Sequence, residues 1–398
     1  MAVLLVCMPL AAAAKSAYIY DESDAVMSPL REDDKEWAPT AAAVSEAALA
    51  IGGKSAVLME LSTGKLLFEK NSHEKLTIAS VTKIMTLLLV MEAIDGGLIT
   101  PEEKVTCSAT AASMGGSQIW LEQGETMTVD ELLKAAAIVS ANDACAALAE
   151  RICGTIENFV ARMNERAAEL GMKDTLFLDC SGLSDDAYSS ANDVALMSRE
   201  LMKHREIQKY TTVWMDTLRG GKSQLVNTNK LVRHYNGTTG LKTGTTQKAG
   251  HCLAATAERG GIGFVAVILG CATTDERFGG ARAMLDYGFA NYTLYTPALD
   301  PATLQPIPVL HGMETEVALQ PESVTPILLK KGQEKQVTPT TELAEDVEAP
   351  VEKGQILGTW RLALEDTVLA EIPIRAAESV EKITVLRALT RLMAALTR

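Results

Sequence analysis

The stretch Ala79-Ser-Val-Thr-Lys-Ile-Met-Thr-Leu-Leu-Leu-Val-Met-Glu-Ala-Ile-Asp95 is the most apolar helical pattern in the chain, and Gly96-Gly97 follows it directly. Glycine just past the last periodic residue is typical of a helix end. Apolar side chains occur on nearly every side of this helix, which indicates that other elements surround it. We therefore expect residues 79–95 to form a buried helix inside a globular domain.

The segments around this helix change from strand to helix and back to strand. Before it, Ala56–Glu60 and Lys65–Glu69 flank Ser62-Thr63-Gly64, which predicts a β-hairpin. After it, the capping box Thr128-Val-Asp-Glu131 opens an alanine-rich helical region that is interrupted at Ser140–Asp143, and helical pattern continues to about His204. Three more strands are predicted at Leu241–Thr246, His251–Ala257 and Gly263–Gly270. This order predicts an α+β domain over residues 45–295, with helices packed on an antiparallel sheet.

The last hundred residues differ from the rest of the chain in composition and predicted secondary structure. Prolines begin at Pro297, and short β-branched runs broken by glycines follow, which predict a small all-β domain over residues 296–375. In the final segment, 376–398, residues from Ile383 onward have helical period, with leucines on one face and Arg387, Arg391 and Arg398 on the other. This basic amphipathic helix could pack on the β domain or lie on a membrane surface, and we expect the membrane surface.

Charge and composition restrict the possible partners. The 398 residues hold 37 Lys and Arg against 51 Asp and Glu, a formal net charge of −14, so we expect no nucleic-acid partner.

Residues 1–14 are apolar and end in small residues, like the remnant of a signal peptide, which predicts an exported protein. Residues 15–44 are acidic and without periodicity, as in a tether. The seven cysteines form no C-x-x-C pair, so we predict no metal site, no cofactor and no particular disulfide.

Ser80-Val-Thr-Lys83, at the start of the buried helix, is the first of three motifs that could carry chemistry. Residues three apart share a helix face, so Ser80 Oγ and Lys83 Nζ can meet. A serine hydroxyl becomes a good nucleophile only when a base removes its proton, and burial makes a lysine such a base by lowering its pKa. Since this helix has almost no polar face, an exposed lysine beside a structural serine is the weaker interpretation.

The second motif, Ser140-Ala-Asn142, lies where the alanine-rich helix is interrupted. Short polar residues favour helix ends because they bond to nearby backbone, so a plain helix break would explain it alone. Beside the first motif, it indicates a hydroxyl that relays a proton and an amide that binds a substrate carbonyl.

The third motif, Lys242-Thr-Gly244, lies in a strand-like run. The missing side chain of Gly244 lets another backbone approach, so a peptide could pair there by β-addition. Lys242 and Thr243 could then bind a terminal carboxylate. The alternative is an exposed sheet edge protected by a lysine.

Together the three motifs resemble those of the serine-type D-alanyl-D-alanine carboxypeptidases, the low-molecular-mass penicillin-binding proteins. Further segments similar to this family are Gly116-Ser-Gln-Ile-Trp-Leu121, Leu170-Gly-Met-Lys-Asp-Thr175, Asn227-Thr-Asn-Lys-Leu231, Lys248-Ala-Gly250 and Leu285-Asp-Tyr-Gly-Phe289. The resemblance covers about 45–295, and the β domain with its terminal helix resembles the family's C-terminal arrangement. It implies a β-lactamase/transpeptidase-like catalytic domain.

The resemblance also implies a role for each motif residue. Ser80 would be the nucleophile, Lys83 the base and Ser140 the proton relay, while Asn142, Lys242, Thr243, Gly244 and Thr245 would bind substrate, with the Ser80 and Thr245 N–H groups as oxyanion hole. The substrate would be a peptidoglycan stem peptide that loses its terminal D-Ala, and β-lactams would acylate Ser80 as mimics.

The sequence departs from the family pattern at one position, and several alternative functions have to be compared with the main one. Many relatives carry an Arg near the position of Thr228, which this chain lacks; Arg233 lies nearby in sequence.

A class A β-lactamase would need a deacylating Glu in E-x-x-x-N, and no Asn from 143 to 241 has a Glu four residues before it. A D,D-endopeptidase would look identical at these motifs, and weak β-lactamase activity or a catalytically silent wall-binding protein are the other readings.

Overall fold

A computed structural model describes residues 49–396 of the chain. Contacts divide it into two compact units at Ala290–Asn291. The predicted signal remnant (1–14) and acidic tether (15–44) lie outside the described residues, as does Arg398.

The first unit combines one larger sheet with a set of helices. Its strands are β1 (Ser55–Glu60), β2 (Leu66–Lys70), β3 (Lys104–Thr106), β4 (Thr126–Thr128), β5 (Met215–Leu218), β6 (Ser223–Val226), β7 (Thr238–Thr246), β8 (Gly250–Arg259) and β9 (Ile262–Cys271). Its helices are α1 (Lys83–Asp95), α2 (Ala109–Ala112), α3 (Val129–Ile138), α4 (Asn142–Cys153), α5 (Ile156–Glu169), α6 (Ala191–Lys203), α7 (Gln208–Thr211), α8 (Leu231–His234) and α9 (Thr274–Asn291). Short 3₁₀ helices cover Ala79–Thr82 and Arg205–Ile207.

The larger sheet is antiparallel, with strand order β2-β1-β9-β8-β7. The predicted hairpin β1–β2 and the three later strands are confirmed, and their α+β arrangement agrees with the expected fold class. Strand β7, which carries the third motif, lies at an edge of this sheet, where one side of its backbone is not paired within the sheet.

Helix α1 is buried as predicted, but it begins four residues later than the sequence pattern indicates. Ten of its 13 residues are buried, Lys83 among them, and Ala79–Thr82 forms a 3₁₀ turn instead of α-helix. Ala79 has a φ of +48°, which no α-helix accommodates. The first motif, Ser80 to Lys83, therefore starts on a tight turn and ends at the first residue of α1.

The interruption of the alanine-rich region is also real. The predicted capping box of Thr128 and Glu131 opens α3, and both of its hydrogen bonds are present. Between α3 and α4, Ser140 has a φ of +64°, so the chain turns sharply before Asn142 starts α4. Ser140 and Asn142 are thereby placed at the start of α4 rather than along a continuous helix.

The second unit is mostly β structure. Its elements are β10 (Tyr292–Tyr295), β11 (Ile307–Leu310), β12 (Glu316–Val317), β13 (Leu319–Pro321), β14 (Ile327–Lys330), β15 (Val337–Leu343), β16 (Val347–Glu348), β17 (Ile356–Leu364), β18 (Thr367–Ala376) and α10 (Val385–Leu396), with 3₁₀ helices at Pro301–Thr303 and Glu334–Gln336. They form sheets of order β13-β18-β17-β15, β12-β11-β16 and β10-β14. Buried residues such as Trp360, Ile374 and Val317 form two small cores.

Two predicted boundaries of this unit differ from the structure. Residues 292–295, assigned to the first domain, pair as β10 with β14 and so belong to the second unit. Residues 376–380, assigned to the terminal helical segment, complete the β unit, because Ala376 and Val380 are buried in its core. The amphipathic helix itself begins only at Val385.

Helix α10 exposes its apolar face to solvent. Six large apolar side chains of this helix have more than half of their surface exposed: Val385, Leu386, Leu389, Leu392, Met393 and Leu396. Arg391 donates to the backbone carbonyls of Gly312 and Met313. Over residues 49–396, no helix combines the length and the hydropathy needed to cross a bilayer.

Candidate active site

The side chains of Ser80 and Lys83 meet at the start of α1. Lys83 Nζ lies 3.0 Å from Ser80 Oγ and donates a second hydrogen bond of 2.7 Å to the carbonyl of Ser181. Lys83 has no exposed surface. Burial lowers the pKa of Lys83 from its usual 10.5, and the thiols and carboxylates around it oppose this only in part. The geometry therefore supplies an amine beside a serine hydroxyl, and burial shifts its protonation equilibrium toward the neutral form that a base needs.

Two glycines pack against the turn that carries Ser80. A Cβ on Gly182 would lie 2.0 Å from the carbonyl oxygen of Ala79, and one on Gly244 would lie 2.6 Å from that of Ile78 and 3.0 Å from Ser80 N. Backbone cannot yield to such contacts cheaply, so both positions require glycine. At Gly244, the turn that carries Ser80 therefore makes the close backbone approach that a side chain would block.

Ser140 and Asn142 present polar atoms that have no partner. Both residues are nearly fully buried, and within residues 49–396 neither Ser140 Oγ nor Asn142 Oδ1 has a hydrogen-bond partner. The Asn142 side chain donates one N–H to the carbonyl of Gly115, at 2.7 Å, which leaves its second N–H and Oδ1 for other partners. Buried polar atoms are usually paired, so unpaired ones mark a place where a ligand can bind.

Asp143, which the motif analysis did not select, fixes the loop next to Asn142. Its carboxylate accepts hydrogen bonds from the backbone N–H groups of Ile119 and Leu121, and it has no exposed surface. Burial raises the pKa of Asp143, against the effect of these hydrogen bonds. The carboxylate of Asp143 and the thiol of Cys145 both act electrostatically on Lys83, so the first turn of α4 lies near this lysine.

Lys242 of β7 is 1% exposed, so the interpretation of a solvent-exposed lysine protecting a sheet edge is wrong. Its Nζ donates to the carbonyl of Thr243 at 3.0 Å. Burial holds the pKa of Lys242 well below its usual value, and the positive charge of Lys83 adds to this effect. The two lysines are therefore electrostatically coupled, and protonating one disfavours protonating the other.

The part of the site around the third motif contains threonines and one arginine that the sequence analysis missed. Thr243 Oγ1 donates to Thr228 Oγ1 at 2.8 Å. Arg277 of α9 has no exposed surface and donates to Thr245 Oγ1 at 2.9 Å. Arg233, by contrast, stacks over the ring of Trp214. Arg277 belongs to no motif, and one basic residue in a first helical turn is too common a signal to have selected it.

Among residues 49–396, no group of three or more His, Cys, Asp or Glu side chains could hold a metal ion. The six cysteines in this range are all free thiols.

Comparisons with known families match both units. Residues 40–273 match the family described as D-alanyl-D-alanine carboxypeptidase, peptidase S11, and residues 292–382 match the family described as penicillin-binding protein 5, C-terminal domain. A curated relative, D-alanyl-D-alanine carboxypeptidase DacF of Bacillus subtilis, is 45% identical over 350 residues, which are 87% of this chain and 90% of the relative.

Solved structures are similar as well. Penicillin-binding protein 5 from Haemophilus influenzae is 29% identical with a TM-score of 0.73, covering 83% of this chain and 98% of that one. Penicillin-binding protein D2 from Listeria monocytogenes, solved in an ampicillin-bound form, is 33% identical with a TM-score of 0.53, covering 61% of this chain and 98% of that one.

Proposed function

The chain belongs to the D-alanyl-D-alanine carboxypeptidase family, and from this premise we propose that Ser80 is its nucleophile and Lys83 its general base. The protein is a serine-type D-alanyl-D-alanine carboxypeptidase that removes the terminal D-Ala from peptidoglycan stem peptides and binds β-lactams. The observation that carries the assignment of residues is the 3.0 Å contact between Nζ of the fully buried Lys83 and Oγ of the half-buried Ser80.

Acylation follows from this contact. Neutral Lys83 takes the proton of Ser80, and Oγ attacks the carbonyl carbon of the penultimate D-Ala. Negative charge then develops on the carbonyl oxygen, which the N–H groups of Ser80 and Thr245 stabilise. The lysine proton passes through the Ser140 hydroxyl to the nitrogen of the terminal D-Ala, the C–N bond breaks, and the substrate remains as an ester on Ser80. Water then cleaves the ester by the reverse sequence of proton transfers.

Selectivity for a chain end requires a site for the terminal carboxylate. Thr243 supplies a hydroxyl for it, Lys242 a positive charge, and Asn142 an amide for the substrate backbone. Arg277, fully buried behind Thr245, adds positive potential where the family's usual arginine near Thr228 is absent. A carboxylate entering here would favour the ammonium form of Lys242, and the coupling between the lysines would then keep Lys83 neutral.

Intact-mass analysis with a penicillin, beside D-Ala release from a peptide ending in D-Ala-D-Ala, tests this assignment. We expect a covalent adduct and D-Ala release with the wild type and neither with Ser80→Ala. An adduct without D-Ala release would favour a D,D-endopeptidase. An adduct that is lost within minutes would favour a weak β-lactamase. The absence of any adduct would favour a catalytically silent wall-binding protein.

We further propose that the enzyme is exported and is held on the outer face of the cytoplasmic membrane by α10. Six large apolar side chains of this helix are exposed, which is costly in water and favourable at a lipid interface. Arg387 can contact anionic lipids, whereas Arg391 is bound to backbone carbonyls of the β unit. The apolar, signal-like residues 1–14 support export.

Truncation before Val385 tests the membrane attachment without removing Ala376 and Val380 from the β core. We expect the truncated protein to leave the membrane fraction while its activity on a soluble peptide stays unchanged. Leu389→Glu should act like the truncation, and Arg387→Gln, its control on the polar face, should weaken binding mainly at low salt. Continued sedimentation of the truncated protein with membranes would contradict α10 as the sole anchor.

A further inference from the structure

Asp179, outside all three motifs, binds the backbone of the turn that follows it. Its Oδ1 accepts hydrogen bonds from the N–H groups of Ser181, Gly182 and Leu183 and from the Ser181 hydroxyl, and its Oδ2 accepts from Ser184 N at 2.7 Å. One carboxylate thus satisfies four consecutive backbone donors, an arrangement that fixes the path of the chain over residues 179–184. We call this segment the Asp179 turn.

The Asp179 turn is the part of the structure that holds the amine of Lys83. The carbonyl of Ser181 accepts the 2.7 Å hydrogen bond from Lys83 Nζ, and the carbonyl of Cys180 accepts one of 2.6 Å from Thr86 Oγ1, three residues further along α1. Two successive carbonyls of the turn therefore bind two side chains of α1. Ser80 Oγ is the other partner of Lys83 Nζ that this geometry provides.

The same turn also packs on the nucleophile. Gly182 has a φ of +85°, and a Cβ there would lie 2.0 Å from Ala79 O and 2.9 Å from Ser80 N. A displacement of the Asp179 turn would therefore move both the carbonyl that orients the base and the backbone against which Ser80 rests.

The charge of Asp179 also reaches Lys83. Burial alone would raise the pKa of Asp179, but its backbone hydrogen bonds outweigh that effect and lower the pKa, so the group is ionised. The titratable groups that face Lys83 are Asp143 and Cys145 from α4, Asp179 and Cys180 from the turn, and Lys242 from β7. Among them Asp179 is the one that is both ionised and joined to Lys83 through a single peptide carbonyl.

We propose that Asp179 is a positioning residue for catalysis: its carboxylate shapes the turn whose Ser181 carbonyl aims Lys83 Nζ at Ser80 Oγ. The inference rests on the proposed function, in which Lys83 is the base. Without Asp179, four backbone N–H groups lose their acceptor, the turn relaxes, and Lys83 loses both a fixed partner and a nearby negative charge.

The test is the second-order rate constant for acylation of Ser80 by a penicillin, measured by intact mass across the pH range in which the protein is folded. We expect Asp179→Ala to lower the rate constant about a hundredfold, as small misplacements of catalytic groups do. Asp179→Asn keeps the Oδ1 acceptor and should lose about tenfold. In both variants the acid limb of the pH profile should move to lower pH, because the ammonium form of Lys83 has lost stabilisation.

Asp193→Asn is the matched control. Asp193 is also buried, and its carboxylate also accepts from a backbone N–H, of Asp174, and from a hydroxyl, of Thr175. It has no bond to the Asp179 turn, so its variant should keep the acid limb of the wild type.

Two results would overturn the inference. In the first, both Asp179 variants acylate at the wild-type rate and the acid limb of their pH profiles does not move. In the second, the acylation rate constant falls only in proportion to the loss of thermal stability, and the acid limb again does not move. Failure of the proposed function is distinguishable, because then the wild type itself would take up no penicillin on Ser80.

Discussion

Helix α1 and strand β7 each bring one almost fully buried lysine to the site, yet the two lysines have opposite surroundings. Lys83 donates to Ser80 and to the Asp179 turn, and the carboxylates of Asp179 and Asp143 partly counter the loss of its charge. Lys242 donates to a backbone carbonyl, and the positive charges of Lys83 and Arg277 make its own charge still less favourable. Equal burial therefore produces two different proton affinities. The surroundings of Lys83 suit its proposed role as a base. Those of Lys242 suit a side chain that becomes cationic when a substrate carboxylate binds.

The largest effect should come from Lys83→Met, which removes the proposed base. We expect the acylation rate constant to fall by about 10³- to 10⁴-fold, the upper range for general base catalysis. The measurement is penicillin adduct formation by intact mass, with Lys104→Met at the exposed residue of β3 as control. An acylation rate within tenfold of the wild type would contradict the role of Lys83.

The same variant should be more stable than the wild type. The pKa of Lys83 is lowered on folding from about 10.5, so the unfolded chain binds more protons and the wild type gains stability as pH rises toward that value. Met lacks this dependence, so its advantage in free energy of unfolding, about 1–3 kcal/mol, should be present near neutral pH and shrink as pH approaches 10.5. Denaturant titrations at two pH values would show it, and a constant difference would contradict it.

Gly244→Ala disturbs the contact between the two regions and should rank next. The new Cβ would meet the carbonyl of Ile78 and the amide of Ser80, so we expect about 100-fold slower acylation and about 1–3 kcal/mol of destabilisation. Gly279→Ala in α9 is the control, because nothing lies within 4 Å of its Cβ position and a helical alanine is favourable. Equal behaviour of the two variants in acylation and thermal unfolding would show that the contact carries no weight.

Lys242→Met should act on substrate affinity more than on the chemical step. We expect KM for a D-Ala-D-Ala peptide to rise about 10- to 100-fold, as for one lost charged hydrogen bond, with a smaller change in kcat. With the peptide carboxylate bound, the wild type holds a cationic Lys242 beside Lys83 that the variant lacks. The acid limb of kcat should therefore move to higher pH in the variant, opposite to the shift expected for Asp179→Asn. Steady-state kinetics against pH would separate the two lysines, and a shift in the same direction for both variants would break the comparison.

The smallest effect should come from Thr243→Val, which removes one hydroxyl at the carboxylate end. We expect kcat/KM for the peptide to fall about tenfold, with Thr243→Ser close to the wild type. If an amide-capped peptide were affected as strongly as the free acid, Thr243 would not read the carboxylate.

The parts of this site that the sequence predicted are those where chemistry needs particular residues at short spacing. Ser80 and Lys83 are three apart, and their contact requires little more than one turn of chain. The 3₁₀ turn at Ala79 was not predictable, because it depends on backbone packed against it by Gly182 and Gly244, about 100 and 165 residues away. Asp179 and Arg277 were missed for the same reason, since each acts through a fold that places it beside a distant motif.

The six cysteines of the described chain carry a practical consequence. All are free, five are buried, and burial raises the pKa of the Cys145 thiol to about 11 and that of Cys271 to about 12. A buried, protonated thiol reacts slowly, so in the native protein the five buried cysteines should react slowly with alkylating reagents. Each buried thiol becomes reactive when the structure around it unfolds. Alkylation of these cysteines would therefore report local unfolding at each of their positions, without an added dye or an engineered probe.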